Sequence, residues 1–260
     1  MSEDSEVVTA TVKAAVELQI AGRPLRLEVP VPAGPVRLSE LLPFLRELTD
    51  AFVAFAVENA QDQGATLSCR KGCGACCRQL VPIAEIEARR LREVVARLPD
   101  ARRVTIAARF AAARQRLQQA GLLDKLATPN QVRDEEVDAL GLAYFHLGIP
   151  CPFLEDESCS IYSERPLACR EYLVLSPPAH CAQPTVDNIE PVKLVARVAR
   201  TVRMLDSERS VTANRWLALI LALDWAAEHG DFSLPEAGPD LVRTVFARLL
   251  GQVSPESATG

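Results

Sequence analysis

The chain lacks the basic start, apolar run and small-residue cleavage site of a secretory signal. It opens instead on acidic MSEDSEVV, and the expectation is a cytoplasmic protein. Long hydrophobic runs are missing too. The longest apolar stretch, residues 216–227, is too short to span a bilayer and contains Asp224, so no membrane role is expected. Runs of basic residues are absent, with lysine confined to Lys13, Lys71, Lys125 and Lys193. A formal net charge of -5 and a pI near 5.4 leave no basic face to release counterions from phosphates, so nucleic acid is not an expected partner. The glycines Gly22, Gly72, Gly74, Gly121 and Gly141 form no fingerprint for a nucleotide or methyl donor. No Ser/His/Asp arrangement, spaced carboxylate pair, internal repeat or linker stands out.

What is present is a globular composition, 48% hydrophobic and 24% charged. The expected fold class is mainly α with a small N-terminal β-hairpin (α+β), in a single domain over 1–260. Alternation of apolar and polar residues from Val16 to Val31, broken at Ala21-Gly22-Arg23-Pro24, reads as the hairpin. Ser39 is a candidate N-cap for a helix whose stripe runs through Leu41, Phe44, Leu45, Leu48, Phe52 and Phe55 to Gly64, so hairpin plus helix occupy 10–65.

A second helix is expected to start at Pro82, with Glu85 and Glu87 at the positive end of its dipole. Others are expected over 100–119 and 131–147. From 148 to 184 the periodicity stops amid six prolines and four cysteines, which marks an irregular segment organised by a metal. Helices return over 185–251, with a buried apolar run after Thr212 and an amphipathic pattern from Pro239 to Leu250. The small polar tail 252–260 is expected to be disordered.

The informative feature is the cysteines. Cys69, Cys73, Cys76 and Cys77 fall within nine residues, and Cys151, Cys159, Cys169 and Cys181 follow downstream. Thiolates are soft, strong ligands for zinc and iron-sulfur clusters, and such sites gather ligands from a tight loop plus distant segments. The competing use, four disulfides, is disfavoured in a reducing cytosol and is not needed by a chain this long. Eight thiolates accommodate two four-coordinate sites, or one cluster with spare thiols. Adjacent side chains usually point apart, so Cys76 and Cys77 are not expected on one ion. Arg70, Lys71, Arg78, Arg165 and Arg170 are candidates to offset the thiolate charge, against a reading as solvated surface. His180, next to Cys181, is a weaker candidate to ligate or to hydrogen-bond a sulfur. His146 and His229 read as ordinary helix residues, and Tyr162 and Tyr172 as a polar wall or simple packing. Glu155, Asp156 and Glu157 read as a solvated acidic turn.

The CxxxCxxCC run at 69–77, with Cys-Pro-Phe-Leu at 151–154, Cys-Ser-Ile-Tyr at 159–162 and Arg-Pro-Leu-Ala-Cys-Arg at 165–170, resembles the YkgJ-type cysteine-cluster family of zinc- or iron-chelating domains. The resemblance spans 69–181. It implies chelation of a metal ion by the cysteines in a bacterial cytosol, with no agreed reaction and no specified protein partner. The family motif is written CxxCxxCC, whereas here three residues separate Cys69 from Cys73. Flagellin lysine methylases share a similar cysteine pattern, which makes an iron-sulfur protein-modifying enzyme the alternative. The spacing of Cys69, Cys73 and Cys76 also equals that of radical enzymes using S-adenosylmethionine. Ala75 in place of an aromatic residue, and a helical remainder without alternating strands, weigh against that reading. Thiol redox sensing would require exposed, low-pKa cysteines.

Overall fold

A computed structural model describes residues 11–20, 23–70, 72–185 and 187–251. The expected hairpin is there and longer than its alternating pattern. Strand β1 (Thr11–Ile20) pairs antiparallel with β2 (Arg23–Pro32), from Thr11 opposite Pro32 to Ile20 opposite Arg23, and the turn residues Ala21 and Gly22 lie outside the described residues. Pro24, Pro30 and Pro32 are tolerated because a two-stranded ribbon has only edge strands. The end of β2 is anchored in the core through fully buried Val31.

After the short β3 (Pro35–Val36), helix α1 (Leu42–Asp62) buries Phe44, Leu45, Leu48, Phe52 and Phe55 on one stripe, as its spacing predicts. Ser39 does not cap it. A 3-10 turn over Leu38–Leu41 precedes the helix, and the Ser39 hydroxyl donates to Asp231 at 2.9 Å. Pro82 is likewise not helical. It lies in β4 (Pro82–Ile83), paired with β7 (Leu217–Ala218), and α2 (Glu85–Ala96) starts three residues later than expected. Helix α3 (Asp100–Gln119) has the expected bounds and is followed by α4 (Leu123–Ala127). The helix expected from Gln131 shortens to α5 (Val137–His146), because 3-10 turns occupy Pro129–Gln131 and Asp134–Glu136. There Asn130 is engaged by the 213–215 loop, accepting from the Arg215 N–H at 2.9 Å and donating to the Ala213 carbonyl at 3.1 Å.

The segment expected to be irregular carries short elements: strands β5 (Leu154–Glu155) and β6 (Ser158–Cys159), then helices α6 (Leu167–Glu171) and α7 (Pro178–Ala182). Helix α8 (Val198–Arg209) follows. The apolar run after Thr212 is buried as expected but is not one helix. It contributes β7, a 3-10 turn at Leu219–Leu221 and α9 (Ala222–Glu228). Strand β8 (Glu236–Ala237) pairs with β3 and leads into α10 (Gly238–Leu250). A Cβ at position 238 would collide with the Pro32 carbonyl, so glycine is required where α10 passes the end of the hairpin.

Buried carboxylates join the helices around the cysteine segment in a closed circuit. Glu87 of α2 accepts the N–H of Leu167, the first residue of α6, at 2.8 Å. Glu171 of α6 accepts the N–H of Ala199 in the first turn of α8 at 2.9 Å. Asp206 of α8 accepts the N–H of Ile86 in the first turn of α2 at 2.9 Å. Each carboxylate satisfies an orphan N–H and sits at a positive helix end.

Burial nonetheless raises the pKa of all three, to about 7 for Glu171 and for Asp206, because desolvation outweighs the N–H bonds. A carboxyl whose pKa is higher in the folded state gives stability that is complete below its unfolded value near 4 and is lost as pH rises through about 7. The melting temperature should therefore fall between pH 5 and pH 8. Asp206→Asn keeps an acceptor for Ile86 and should flatten that fall, gaining on the order of 1 kcal/mol at pH 8. Thermal scans of both proteins across this range check it, and an unchanged slope in the variant would remove Asp206 as a source.

Candidate metal centre

Two segments far apart in sequence are bound together by main-chain hydrogen bonds, and the cysteines ride on them. The loop after α1 is tied to the strand-like segment 173–175: the Ser68 N–H donates to the Val174 carbonyl at 3.1 Å, and the Val174 N–H donates to Cys69 Sγ at 3.4 Å. Gly72, at φ +83°, lets the chain reverse toward Cys73. Cys76 and Cys77 sit in a 3-10 turn, Ala75–Arg78, whose Cys77 carbonyl accepts the Cys151 N–H at 2.7 Å. Cys159 ends β6 opposite Leu154, Cys169 is the middle residue of α6, and Cys181 lies in α7, which packs on the 75–78 turn.

All eight cysteines are free thiols; Cys181 is buried and the others are half-buried. They form two groups that meet at Cys76. Cys151, Cys159 and Cys169 pack against the same apolar cluster as Ile83, Phe110 and Phe153, close enough for Cys169 to feel the charges of the other two. Cys69 and Cys181 instead feel Cys73, and Cys181 also feels Cys69. Cys69, Cys151, Cys159, Cys169 and Cys181 all feel Cys76. Cys76 and Cys77 are neighbours within the tight 3-10 turn.

These surroundings disfavour thiolates. The Cys76 pKa is raised, first by its neighbour Cys77 and then by burial; burial first, and then neighbouring thiols, take Cys151 up to about 12 and raise Cys69, Cys159, Cys169 and Cys181. A redox sensor needs the reverse, so that reading loses support. Ionised sulfurs here require a compensating cation, and a bound metal is the cation that thiols suit. Among the described residues no three Cys, His, Asp or Glu side chains stand in a metal-holding arrangement; what suits a metal is the chemistry of the donors, eight free thiols.

The arginine candidates separate cleanly. Arg165 lies beside the junction of the two groups, its charge lowering the pKa values of Cys76 and Cys159. Its guanidinium stacks on Tyr162 at 4.1 Å, and its Nε is the one buried side-chain nitrogen or oxygen among the described residues that lacks a hydrogen-bond partner. Arg170 is structural. It is buried, pairs with Asp50 at 2.6 Å and donates to the carbonyls of Ser163 and Arg165, fixing the loop that carries Arg165. Glu164 on that loop is clamped by Arg90 and Arg46, which hold its carboxyl down to about 2. Arg78 bonds Gly74 and Glu157, Arg70 is exposed, and Lys71 lies outside the described residues.

His180 is occupied by the Asn188 carbonyl at 2.7 Å; His229 stacks on Trp225, and His146 is exposed on α5. Tyr172 is half-buried, and burial raises its pKa. The acidic tip is more than a solvated turn. Asp156 and Glu157 adopt φ of 47° and 56° in a two-residue hairpin turn, while Glu155 pairs with Arg102 and Arg109, and Glu157 with Arg78. That hairpin packs directly on the first cysteine loop at Gly74.

Residues 68–190, just under half of the 260 and including every cysteine, match the model of a family described as "CxxCxxCC: Putative zinc- or iron-chelating domain". No curated protein and no solved structure matches the chain.

A Cβ at position 74 would stand 2.6 Å from Glu157 Oε2 and 2.7 Å from Leu154 Cδ1, inside contact distance of both. Gly74→Ala should therefore push the β5–β6 hairpin off the cysteine loop and cost about 1–3 kcal/mol. Gly141→Ala, in open space inside α5, should instead be neutral or stabilising by up to about 1 kcal/mol. Denaturant unfolding of the two variants checks the contrast.

Proposed function

We propose that the chain is a cytoplasmic metal-binding protein, one domain in which Cys69, Cys73, Cys76, Cys77, Cys151, Cys159, Cys169 and Cys181 hold zinc or iron. The observation that carries this reading is the gathering of distant cysteine segments by tertiary contacts: the Cys151 N–H bonds the Cys77 carbonyl, the Val174 N–H bonds Cys69 Sγ, α7 with Cys181 packs on the 75–78 turn, and nearby Arg165 has a buried unpartnered Nε. A donor left without an acceptor in the protein is suited to a metal-bound sulfur, whose negative charge it would offset.

Cys69, Cys73 and Cys181 would supply one set of donors, and Cys151, Cys159 and Cys169 the other, with Cys76 and Cys77 between them. This division allows two four-thiolate ions or one iron-sulfur cluster with further thiols around it. The protein-modifying alternative rests on the resemblance of the cysteine pattern and requires iron with sulfide as its first condition.

The bound metal would not be the sole source of the fold. Small zinc domains are unfolded without their ion, whereas here α1, α2, α3, α8 and α10 bury extensive apolar clusters of their own, one of which also seats Cys151, Cys159 and Cys169. Binding should stabilise the folded chain in proportion to its affinity.

Metal and acid-labile sulfide analysis of protein purified without oxygen, with a visible spectrum, tests the reading. Iron with sulfide and absorption near 400 nm assigns a cluster, colourless protein with zinc assigns thiolate zinc, and a metal-free protein refutes the proposal. Removal of the metal by a chelator should lower the melting temperature while leaving far-ultraviolet helical signal largely intact. Arg165→Gln should leave the fold in place and weaken metal retention about tenfold, the scale seen for groups that support metal ligands.

A further inference from the structure

A cleft of about 690 Å³ opens beside Cys181, within the size range of small-molecule sites. One wall is α8, which presents Arg200 and Arg203 three residues apart and so on one face. Apolar area comes from Leu142 and Phe145 of α5 with Trp216, and Cys181 also lines the cleft. None of these features is explained by the thiol groups.

The polar groups of the cleft are unspent. Arg203 is half-buried, desolvation lowers its pKa, and its one hydrogen bond among the described residues goes to the Pro82 carbonyl at 3.2 Å. The carboxylates whose charge it feels, Glu87 and Glu171, direct their hydrogen bonds to the N–H groups of Ala84, Leu167 and Ala199. Arg200 is exposed and makes no hydrogen bond or ion pair among the described residues. The indole N–H of buried Trp216 is also without a partner there. Among the described residues only Arg165 Nε is both buried and unpartnered, so the free nitrogens of Arg203 and Trp216 keep contact with open space, and both residues line the cleft. Of the acidic residues that line the cleft, Asp134 is taken by Arg215, and exposed Asp138 stands against Arg200 and Arg203.

We propose that this cleft binds a small organic oxyanion with an apolar body, its charged end held by Arg203 and Arg200 and its body packed on Trp216 and Phe145. A guanidinium fork matches the paired oxygens of a carboxylate or a phosphate ester, and partial burial strengthens that contact by excluding water. The indole N–H supplies a further donor, and the ring beside it supplies apolar area. A ligand seated there would lie next to the sulfur of Cys181, and hence beside whatever that sulfur binds.

Calorimetric and tryptophan-fluorescence titrations of the full chain with phenylacetate, phenyl phosphate and neutral phenylacetamide test the site. Saturable binding of at least one anion is expected, with the amide at least tenfold weaker, and the tighter anion identifies the headgroup. Arg203→Gln should weaken that anion tenfold or more and Arg200→Gln several-fold, while Trp216→Phe should remove most of the fluorescence change. Arg200 is exposed and unpartnered, so its variant is expected to fold and decides the matter even if Arg203→Gln does not. Absence of saturation by either anion, equal binding of the amide, or wild-type affinity in a folded Arg200→Gln protein would overturn the proposal. Metal content of each variant, measured alongside, keeps this result separate from the fate of the metal reading.

Discussion

Three buried carboxylates, Glu87, Glu171 and Asp206, are the constraint on which the placement of the cysteines depends. Each leaves one helix to accept an N–H at the start of the next, so α2 holds α6, α6 holds α8 and α8 holds α2. The middle member has five residues, far too few to be stable as an isolated helix, so its position is lent by its neighbours. Cys169 lies at its centre. The circuit also surrounds Arg203, which feels two of the three carboxylates, and so links the scaffold of the thiols to the wall of the cleft. Its cost is desolvation, visible in the raised pKa values of all three acids.

Much of the architecture was legible from periodicity. The stripes of α1, α3 and α10 lie where the apolar spacing puts them, and the alternating residues of β1 and β2 pair as a hairpin. Local signals failed where distant segments intervene. Pro82 is compatible with a first helical position, but β7 recruits it into a strand pair, and Asn130 is captured by the 213–215 loop. Ser39 is spent on Asp231, 192 residues away in sequence. No window of sequence contains both members of such pairs.

The cysteines themselves stand out in the sequence by type and spacing, whereas their division into two groups does not. That division follows from the bond of Cys151 to the Cys77 carbonyl and from the bridge between Cys69 and Val174, both of which are tertiary. Arg165 could be listed beforehand as one of five basic neighbours. What singles it out is burial of an unpartnered Nε, and this depends on Arg170 gripping the Ser163 and Arg165 carbonyls. The cleft left no trace in the sequence, because Phe145, Cys181 and Arg203 come from three separate helices and Trp216 from the loop before β7.

The two polar environments around the thiols differ in kind. Behind Cys169 lies Glu87, a buried acid whose charge would raise the cost of ionising that sulfur; before Cys76 and Cys159 lies Arg165, whose charge lowers it. Arg165 thus offsets part of the rise at Cys76 and Cys159, whereas Glu87 adds to the rise at Cys169. The 3-10 turn that carries Cys76 is closed by the Cys77 N–H on the Gly74 carbonyl and the Gln79 N–H on the Cys76 carbonyl, and it meets the second group through the Cys151 N–H on the Cys77 carbonyl. The placement of the first cysteine loop against the second therefore rests on main-chain hydrogen bonds that no local window of sequence contains.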